Sequence, residues 1–492
     1  MFRTQLNLLK GVDFRVFTED EMDLIHDATL KVLGKTGLKV ATPEACEIYH
    51  SAGCEVIKRG DENIVKIPPY LVNDCISLAP RSFVFYGRNP GKNFVVEQGR
   101  LGFSFFGENV NIIDRDTRKI RRCTKNDLGE ASRLGDYYGE EVPFIHKCMG
   151  SLDKMPETHS LHNYHAMVTN SDKHVVQGFF SGRNTKKIFE MAAACCGGVE
   201  NFKKRPIVTN MVCPTSPLIL TGNVCDMTIE CARMGTGLIG TTMPLNGVTA
   251  PTTMAGALVI SNAELLGILV LSQIITKGLP YMFANYQTIL DLKLGSASLG
   301  APEAGLLAAA TGQMGKYYKI PVWCGVGISD SKVPDAQSAY ENAINALLAG
   351  LGGASIVDCI GGLESGLTFD YAKAVLDIEF ARYVLQASRG IEVSDETLAL
   401  DTIDLVGQKG DYMIQDHTLN HMRDLSWGDA FNRCSRSSWL EEAGGKDAAE
   451  RAYETAHHIV QNHKPAPLPA GVNEEMISII EEYEEEIIRK KN

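Results

Sequence analysis

The chain is 492 residues long and carries 60 acidic against 48 basic side chains, which gives a formal net charge of −12. Its longest basic stretch is the short "KIRRCTK" at Lys119–Lys125, so the charge pattern argues against a nucleic-acid partner. The thirteen cysteines form no CxxC pair and no apolar leader opens the sequence, which predicts reduced thiols and a cytoplasmic location.

The N-terminal part, residues 1–125, has the pattern of an α+β cap region. Thr18 and Glu21 form a capping box ahead of an amphipathic helix, and two further helices are predicted from Thr42 and within "IPPYLVNDCISLAP". From Ser82 to Ile120 the pattern changes to β runs separated by turn residues: "SFVFYG", "NFVVEQG", "RLGFSFFG" and "VNIID".

Between residues 126 and 400, short apolar strands alternate with helical segments. The strands are "VPFIHKCMG", "KHVVQGFF", "RPIVTNMVC", "TGLIGTTMP", "LPYMFANYQ", "IPVWCGVG" and "ASIVDCIGG". This alternation is typical of a parallel sheet covered on both faces, and seven units predict an α/β fold with a (β/α)8 TIM-type barrel. A doubly wound sheet is the alternative. The eighth strand is either the weak "IDLVG" at Ile403 or an unassigned segment at one end of the series.

The longest apolar run, Met254–Thr276, falls inside this region and contains Asn262, Glu264, Ser272 and Gln273. Those polar side chains would be costly in lipid, so the run predicts a buried helix and no membrane span.

Residues 401–492 predict a helical C-terminal region packed on the barrel. The last segment places four apolar side chains along one helix face, namely Met476, Ile480, Tyr483 and Ile487. This stripe predicts a helix docked on its own subunit, with an oligomer contact as the alternative, and a homo-oligomer is expected.

Several common catalytic motifs are missing from the sequence. No P-loop and no Gly-x-Ser-x-Gly elbow occurs. His159, His162 and His165 recur at three-residue spacing, and His417 and His421 stand four apart, but neither group has a partner at a known zinc-motif spacing. Hydrogen-bonding roles are predicted for both, while a metal-dependent barrel lyase or hydrolase built on His417 and His421 stays open.

Aromatic and polar residues collect where the predicted strands end. The candidates for a binding pocket are Phe106, Glu108, Gln177, Tyr281, Tyr286, Gln287 and Trp323. Ring faces attract an organic cation, and the attraction grows as water is excluded, so the set predicts a quaternary-ammonium pocket.

The segment "WCGVGISDSKVPDAQSAYENA" places Ser329 and Asp330 where a strand passes into a helix. Both are further pocket candidates, although Asp330 or Ser331 would also suit a helix cap.

The stretch "LKLGSASLGAPEAGLLAAATGQMGKYYKIPVWCGVGISDSKVPDAQSAYENA" resembles the trimethylamine methyltransferase family, as do "IGGLESGLTFDYAKAVLDIE" and "HTLNHMRDLSWGDAFNRCSRSSW". The resemblance runs through most of the chain. It implies a barrel and methyl transfer to the cobalt of a corrinoid carried by a separate partner protein, with no cofactor held tightly by this chain.

The founding type of that family carries pyrrolysine in the segment that corresponds to about Gly325–Ser331, and no such residue stands there. The resemblance therefore implies the non-pyrrolysine branch, which acts on quaternary amines such as glycine betaine, proline betaine or carnitine. The small residues Gly325 to Ser329 are expected to leave room for such an amine, and His417, Arg382, Gln287 or a helix N-terminus is expected to bind its carboxylate. A non-catalytic betaine-binding protein is the remaining alternative.

Overall fold

The computed structural model describes residues 14–425 and 430–491, and its centre is a sheet of eight parallel strands. In chain order the strands are β1 Gly102–Phe105, β2 Ile145–His146, β3 Val175–Gln177, β4 Val208–Val212, β5 Leu238–Thr242, β6 Tyr281–Asn285, β7 Val322–Cys324 and β8 Ile356–Ile360. Each strand from β2 to β8 pairs with its neighbours in sequence, and β8 pairs with β1, so the sheet curls into a nearly closed barrel.

A helix follows each strand and covers the outside of the barrel. These are α1 Lys125–Tyr137, α2 His159–Thr169, α3 Gly182–Cys196, α4 Gly222–Met234, α5 Met254–Ile275, α6 Pro302–Tyr318, α7 Ala336–Gly352 and α8 Tyr371–Arg389. The α/β fold with a TIM-type barrel, predicted from the strand–helix rhythm, is confirmed.

The seam between β1 and β2 is joined partly by side chains. His146 Nδ1 lies 2.9 Å from the carbonyl oxygen of Phe105, where a regular ladder would place a backbone N–H. Backbone pairing resumes beyond the strand ends, where Asn109 N–H donates to the Cys148 carbonyl at 3.1 Å. The barrel is therefore closed at this edge by a histidine.

All seven predicted strands occur, and the eighth lies at the N-terminal end of the series. It is β1, formed by the "GFSFF" run that the sequence pattern assigned to the cap, so the predicted boundary at residue 125 falls inside the barrel. Ile403, the other candidate, lies in the helix Leu400–Val406, and that prediction is wrong.

The N-terminal region contains helices and small antiparallel sheets. Its elements are Glu19–Lys31, Val32–Thr36, Leu38–Val40, Pro43–Ser51, Glu55–Arg59, Glu62–Lys66, Pro69–Leu78, Ser82–Phe85, Pro90–Lys92 and Phe94–Glu97. The predicted capping box at Thr18 and Glu21 is confirmed, and all three helices pack on α5.

Helix α5 is the apolar run of the sequence. It is long and apolar enough to cross a membrane, yet 72% of its most apolar window is buried within the protein. Glu264, in its middle, accepts hydrogen bonds from Ser216 at 2.9 Å, from the Leu218 N–H at 2.9 Å, and from Thr242. These bonds allow a carboxyl group in a buried helix, as the sequence predicted.

Short elements extend the barrel loops. They are Asn111–Ile113, Ile120–Arg122, Pro156–Thr158, Val199–Lys204, Ile219–Leu220, Leu245–Asn246, Thr288–Asp291, Ser296–Ser298, Gly362–Leu363, Glu364–Gly366 and Thr368–Asp370. Most follow the carboxyl ends of the strands, so they raise the rim of the barrel on the face where such folds place their reactive groups.

The C-terminal region is helical, as predicted. Its helices are Asp395–Leu398, Leu400–Val406, Asp416–His421, Met422–Asp424, Arg436–Glu441, Ala448–Asn462 and Val472–Lys491. In the last one Met476, Ile480, Tyr483 and Ile487 are buried against the same chain, and Tyr483 donates to Asn184 of α3 at 2.9 Å. The prediction of a helix docked on its own subunit is confirmed.

Candidate active site

Inward-facing side chains at the carboxyl ends of the strands form a compact aromatic group. Successive residues of a strand face opposite sides of a sheet, and Trp323 shares the inner cluster of the barrel with Phe106 and Tyr286. The ring centroids of Phe106 and Tyr286 are 5.9 Å apart, and the Trp323 ring lies 5.1 Å from that of Phe144 beneath it. Three of the predicted aromatic residues are thereby brought together inside the carboxyl end of the barrel, where Phe106 and Tyr286 are each 6% exposed and Trp323 is fully buried.

Asp358 of β8 lies under this group and is fully buried. Its Oδ2 accepts a hydrogen bond from the Tyr286 hydroxyl at 2.6 Å, and its Oδ1 accepts one from the Ser104 hydroxyl at 2.8 Å. Burial, and next the nearby Asp358 carboxylate, raise the pKa of Tyr286 well above its usual value. Tyr286 therefore remains a neutral phenol, and its ring adds no charge to the aromatic group.

His146 contacts both acceptors with the same nitrogen. Its Nδ1 lies 2.9 Å from the Phe105 carbonyl oxygen and 3.3 Å from Asp358 Oδ1. Neither oxygen can donate, so the proton must sit on Nδ1. The imidazole is thus fixed in one orientation, with its edge toward the Trp323 ring at a centroid distance of 5.0 Å.

An ion pair stands beside the aromatic group. Lys147 Nζ lies 2.5 Å from Glu108 Oε1; the Lys147 side chain is 8% exposed, whereas that of Glu108 is 73% exposed. Burial among the surrounding loops raises the pKa of Glu108, but the charges of Lys147 and His146 lower it more, so the net pKa lies below its ordinary value. The Glu108 carboxylate itself is therefore exposed to water, although other parts of the protein surround it at longer range.

Two glycines make room for the rings. A Cβ atom at Gly325 would lie 1.9 Å from Tyr286 Cδ1, and one at Gly366 would lie 2.2 Å from Phe106 Cε1. The expectation that Gly325 leaves open space for an amine is thus wrong at that position, because the Tyr286 ring occupies the space. Gly325, just after β7, is therefore needed to let the Tyr286 ring take its place in the aromatic group.

Three further candidates face away from the mouth. Tyr281 donates to the Leu265 carbonyl of α5 at 2.8 Å, Gln177 to the Ser160 carbonyl of α2 at 2.9 Å, and Gln287 to Asn246 at 2.7 Å. Tyr281 and Tyr286 are five residues apart, so the alternation of the strand puts them on opposite sides.

Ser329 and Asp330 belong to the rim. The Ser329 hydroxyl donates to Glu341 at 2.7 Å. Asp330 accepts from the Leu299 N–H at 3.1 Å, from the Ser365 hydroxyl at 2.6 Å and from Ser298. Asp330 therefore joins the loops after β6, β7 and β8, while Asp335, four residues after Ser331, caps α7.

His417 lies outside the barrel, in the helix Asp416–His421, and its ring contacts that of His421 in a tilted arrangement with a centroid distance of 4.5 Å. Of the other proposed carboxylate ligands, Arg382 donates to Glu141 at 2.8 Å. Neither side chain joins the aromatic group.

The histidines at three-residue spacing make separate hydrogen bonds. His159 lies 2.6 Å from the Lys154 carbonyl, His162 2.9 Å from Glu484, and His165 3.1 Å from Asn473. Within residues 14–425 and 430–491, no three side chains of histidine, cysteine, aspartate and glutamate are grouped as metal ligands would be.

The residues that sequence reasoning missed are Asp358, His146, Lys147 and Ser104. Three of them carried a visible signal, because "SIVDCI" contains Asp358 and "PFIHKC" contains His146 and Lys147, charged or titratable side chains inside apolar strands. Such a residue is costly unless it is bonded or used.

The chain is similar in sequence and fold to known proteins. The sequence matches the trimethylamine methyltransferase (MTTB) family over residues 5–487. It is 40% identical to trimethylamine methyltransferase MttB of Desulfitobacterium hafniense, over 97% of this chain and 96% of that protein. It is 26% identical to a glycine betaine methyltransferase of Desulfitobacterium hafniense strain Y51, over 96% and 98%.

Among solved structures, the Methanosarcina barkeri monomethylamine methyltransferase superposes with a TM-score of 0.53 at 12% identity, covering 93% of this chain and 90% of that one. This likeness supports the barrel fold.

Proposed function

Because the chain belongs to the trimethylamine methyltransferase family, we propose that it removes one methyl group from a quaternary amine of the betaine type. The chain is an amine or betaine methyltransferase, and its family methylates a corrinoid protein. What we propose beyond this is that its substrate is a quaternary amine, as in the non-pyrrolysine branch of the family.

The observation that carries it is the state of the segment after β7. Residues 325–331 contain no side chain able to act as a covalent handle for an amine, and the Tyr286 ring fills the position of a Gly325 side chain. The mouth thus offers ring faces in place of a reactive group. Ring faces suit a permanent cation, which needs no activation because loss of one methyl group releases a neutral tertiary amine.

The corrinoid of the partner protein supplies the nucleophile, a Co(I) centre that accepts the methyl group. What remains for this chain is to hold the cation, orient one methyl group outward and exclude water. For the first task we assign the rings of Phe106 and Tyr286, each 6% exposed, with the fully buried Trp323 packed in the same cluster. No general base is required, since the electron pair of the broken C–N bond stays on nitrogen.

Asp358 adds attraction without a close ion pair. The Tyr286 and Ser104 hydroxyls and the His146 N–H lie against its oxygens, so a bound ammonium would sense its charge across the Tyr286 ring. The positive charge on nitrogen falls as the methyl group leaves. A direct ion pair would stabilise the ground state more than the transition state and slow transfer, whereas a screened carboxylate limits that cost.

The test mixes purified protein, Co(I) corrinoid protein and a panel of glycine betaine, proline betaine, carnitine, tetramethylammonium and trimethylamine. Conversion of Co(I) to methyl-Co(III) is followed by absorbance. Turnover of one or more quaternary amines supports the proposal, while conversion with trimethylamine alone would contradict it.

A matched pair of variants tests the site in the same assay. Tyr286→Phe removes the hydroxyl bonded to Asp358, and Tyr281→Phe removes an equally buried hydroxyl that faces α5. Only Tyr286→Phe is expected to change the KM for the amine. Equal effects of both variants would count against the assignment of the mouth.

A further inference from the structure

We propose that Lys147 binds the carboxylate of a zwitterionic amine, and that Glu108 occupies this position as an internal substitute until the substrate displaces it. The inference rests on the proposed function. It narrows the substrate class to quaternary amines that carry a carboxylate close to the nitrogen.

The two members of the ion pair differ sharply in their access to water. Lys147 is 8% exposed and Glu108 is 73% exposed, although Nζ and Oε1 are only 2.5 Å apart. If the pair separates, Glu108 regains hydration at once, whereas Lys147 stays enclosed and needs another anion. Glu108 is therefore the exchangeable partner, and Lys147 is the fixed one.

The surrounding backbone keeps this pair in place. Asn109, the next residue, donates from Nδ2 to the Phe106 carbonyl at 3.1 Å and to the Cys148 carbonyl at 2.7 Å. Glu108 itself has a φ of 77°, a left-handed conformation that non-glycine residues rarely adopt. With its backbone held on both sides, Glu108 exchanges by side-chain rotation, and the loop need not move.

The position of the pair matches the two charges of a betaine. Lys147 directly follows His146, whose ring contacts both Asp358 and Trp323. Glu108 lies two residues beyond Phe106, whose ring faces Tyr286. Beyond burial, the Glu108 charge also helps to raise the pKa of Tyr286, so the ion pair lies near that ring, and a carboxylate a few bonds away from a cation held there could reach Lys147.

This arrangement predicts that removing the charge of Lys147 and removing that of Glu108 have opposite effects on betaine binding. Removing the Lys147 charge deletes the partner of the substrate carboxylate. Removing the Glu108 charge deletes the competitor and leaves an enclosed ammonium without a counter-ion. A pair that only stabilises the fold would give losses of the same sign in both variants.

The experiment measures binding of glycine betaine and tetramethylammonium by calorimetry to the wild type, Lys147→Met and Glu108→Gln. Lys147→Met should raise the Kd of glycine betaine roughly tenfold or more relative to that of tetramethylammonium. Glu108→Gln should lower the Kd of glycine betaine about threefold or more, and should not lower that of tetramethylammonium. Lys203→Met, which removes an exposed lysine paired with Glu200, is the charge-matched control.

Weaker binding of both ligands by Glu108→Gln would overturn the proposal, because it would make Glu108 an attractor of the cation. Equal losses for both ligands with Lys147→Met would overturn it as well. If Lys147→Met does not fold, Glu108→Gln alone decides, by tightening or weakening glycine betaine binding. Failure of the proposed function is separate, since it would appear as no corrinoid methylation by the wild type with any quaternary amine.

Discussion

Replacing Asp358 by asparagine keeps the shape of the buried side chain and removes its charge. The Tyr286 hydroxyl joins the ring to the Asp358 carboxylate. A cation bound within about 6 Å of the ring centroid would therefore lie roughly 6.5 Å from that carboxylate. At an effective dielectric constant of about 20, that separation corresponds to about 2.5 kcal/mol of attraction. Asp358→Asn should therefore weaken binding of a quaternary amine by roughly 30- to 100-fold.

Calorimetry with a ligand and its carbon isostere isolates the electrostatic part of this loss. Glycine betaine and 3,3-dimethylbutanoate have the same shape, but only the first carries a cation. Asp358→Asn should weaken betaine binding and spare the isostere, and Asp61→Asn, in an exposed turn, is the control for net charge. Equal weakening of both ligands, or undiminished betaine binding, would refute an electrostatic role for Asp358.

Three more results are expected. Tyr286→Ala should raise the Kd of the quaternary amine roughly tenfold or more in calorimetry, through loss of a desolvated cation–π contact; an unchanged Kd would remove Tyr286 from the site. Gly325→Ala should lower methyl transfer in the corrinoid assay, because its Cβ would overlap the Tyr286 ring; wild-type rates would show that the ring can shift freely. Asp136 is buried, and although burial raises its pKa, bonds from His463, Ser171 and Lys92 lower it to about 2 in total. Since that folded pKa lies below the ordinary value of 3.8, the stabilisation is complete above about pH 4 and is lost as the pH falls through 2. Asp136→Asn should thus lower the free energy of unfolding at pH 7 by about 2 kcal/mol in urea titrations, and the difference should shrink in acid; a pH-independent difference would contradict this cause.

The barrel could be predicted because each parallel strand is covered on both faces and therefore forms an uninterrupted apolar run. β1 escaped assignment for a physical reason: it follows the antiparallel hairpin of Ser82–Phe85 and Phe94–Glu97 without an intervening helix. The local pattern there is that of a meander, and only pairing with β8 shows that the strand belongs to the barrel. Such pairing joins residues some 250 positions apart, which periodicity cannot detect.

Only part of the candidate site could be predicted from the sequence. Phe106, Tyr286 and Trp323 share one cluster inside the barrel, whereas Tyr281 and Gln287 differ from Tyr286 by an odd number of residues and face outward. The alternation of side chains along a strand is enough to separate them from Tyr286. The Asp358 bonds could not be foreseen, because they join β1, β2, β6 and β8, whose proximity only barrel closure provides.

The bonds of Asp330 restrict which substitutions the loops around it can accept. One carboxylate receives bonds from Ser298, Ser365 and the backbone of Leu299, so three loops share a single anchor. A substitution that removes the hydroxyl of Ser298 or Ser365 leaves the same carboxylate short of a partner and disturbs the other two loops. The residues at 298, 330 and 365 are therefore expected to change as a set across descendants, and new substrate preferences on this side of the mouth should arise through joint replacement of all three loops.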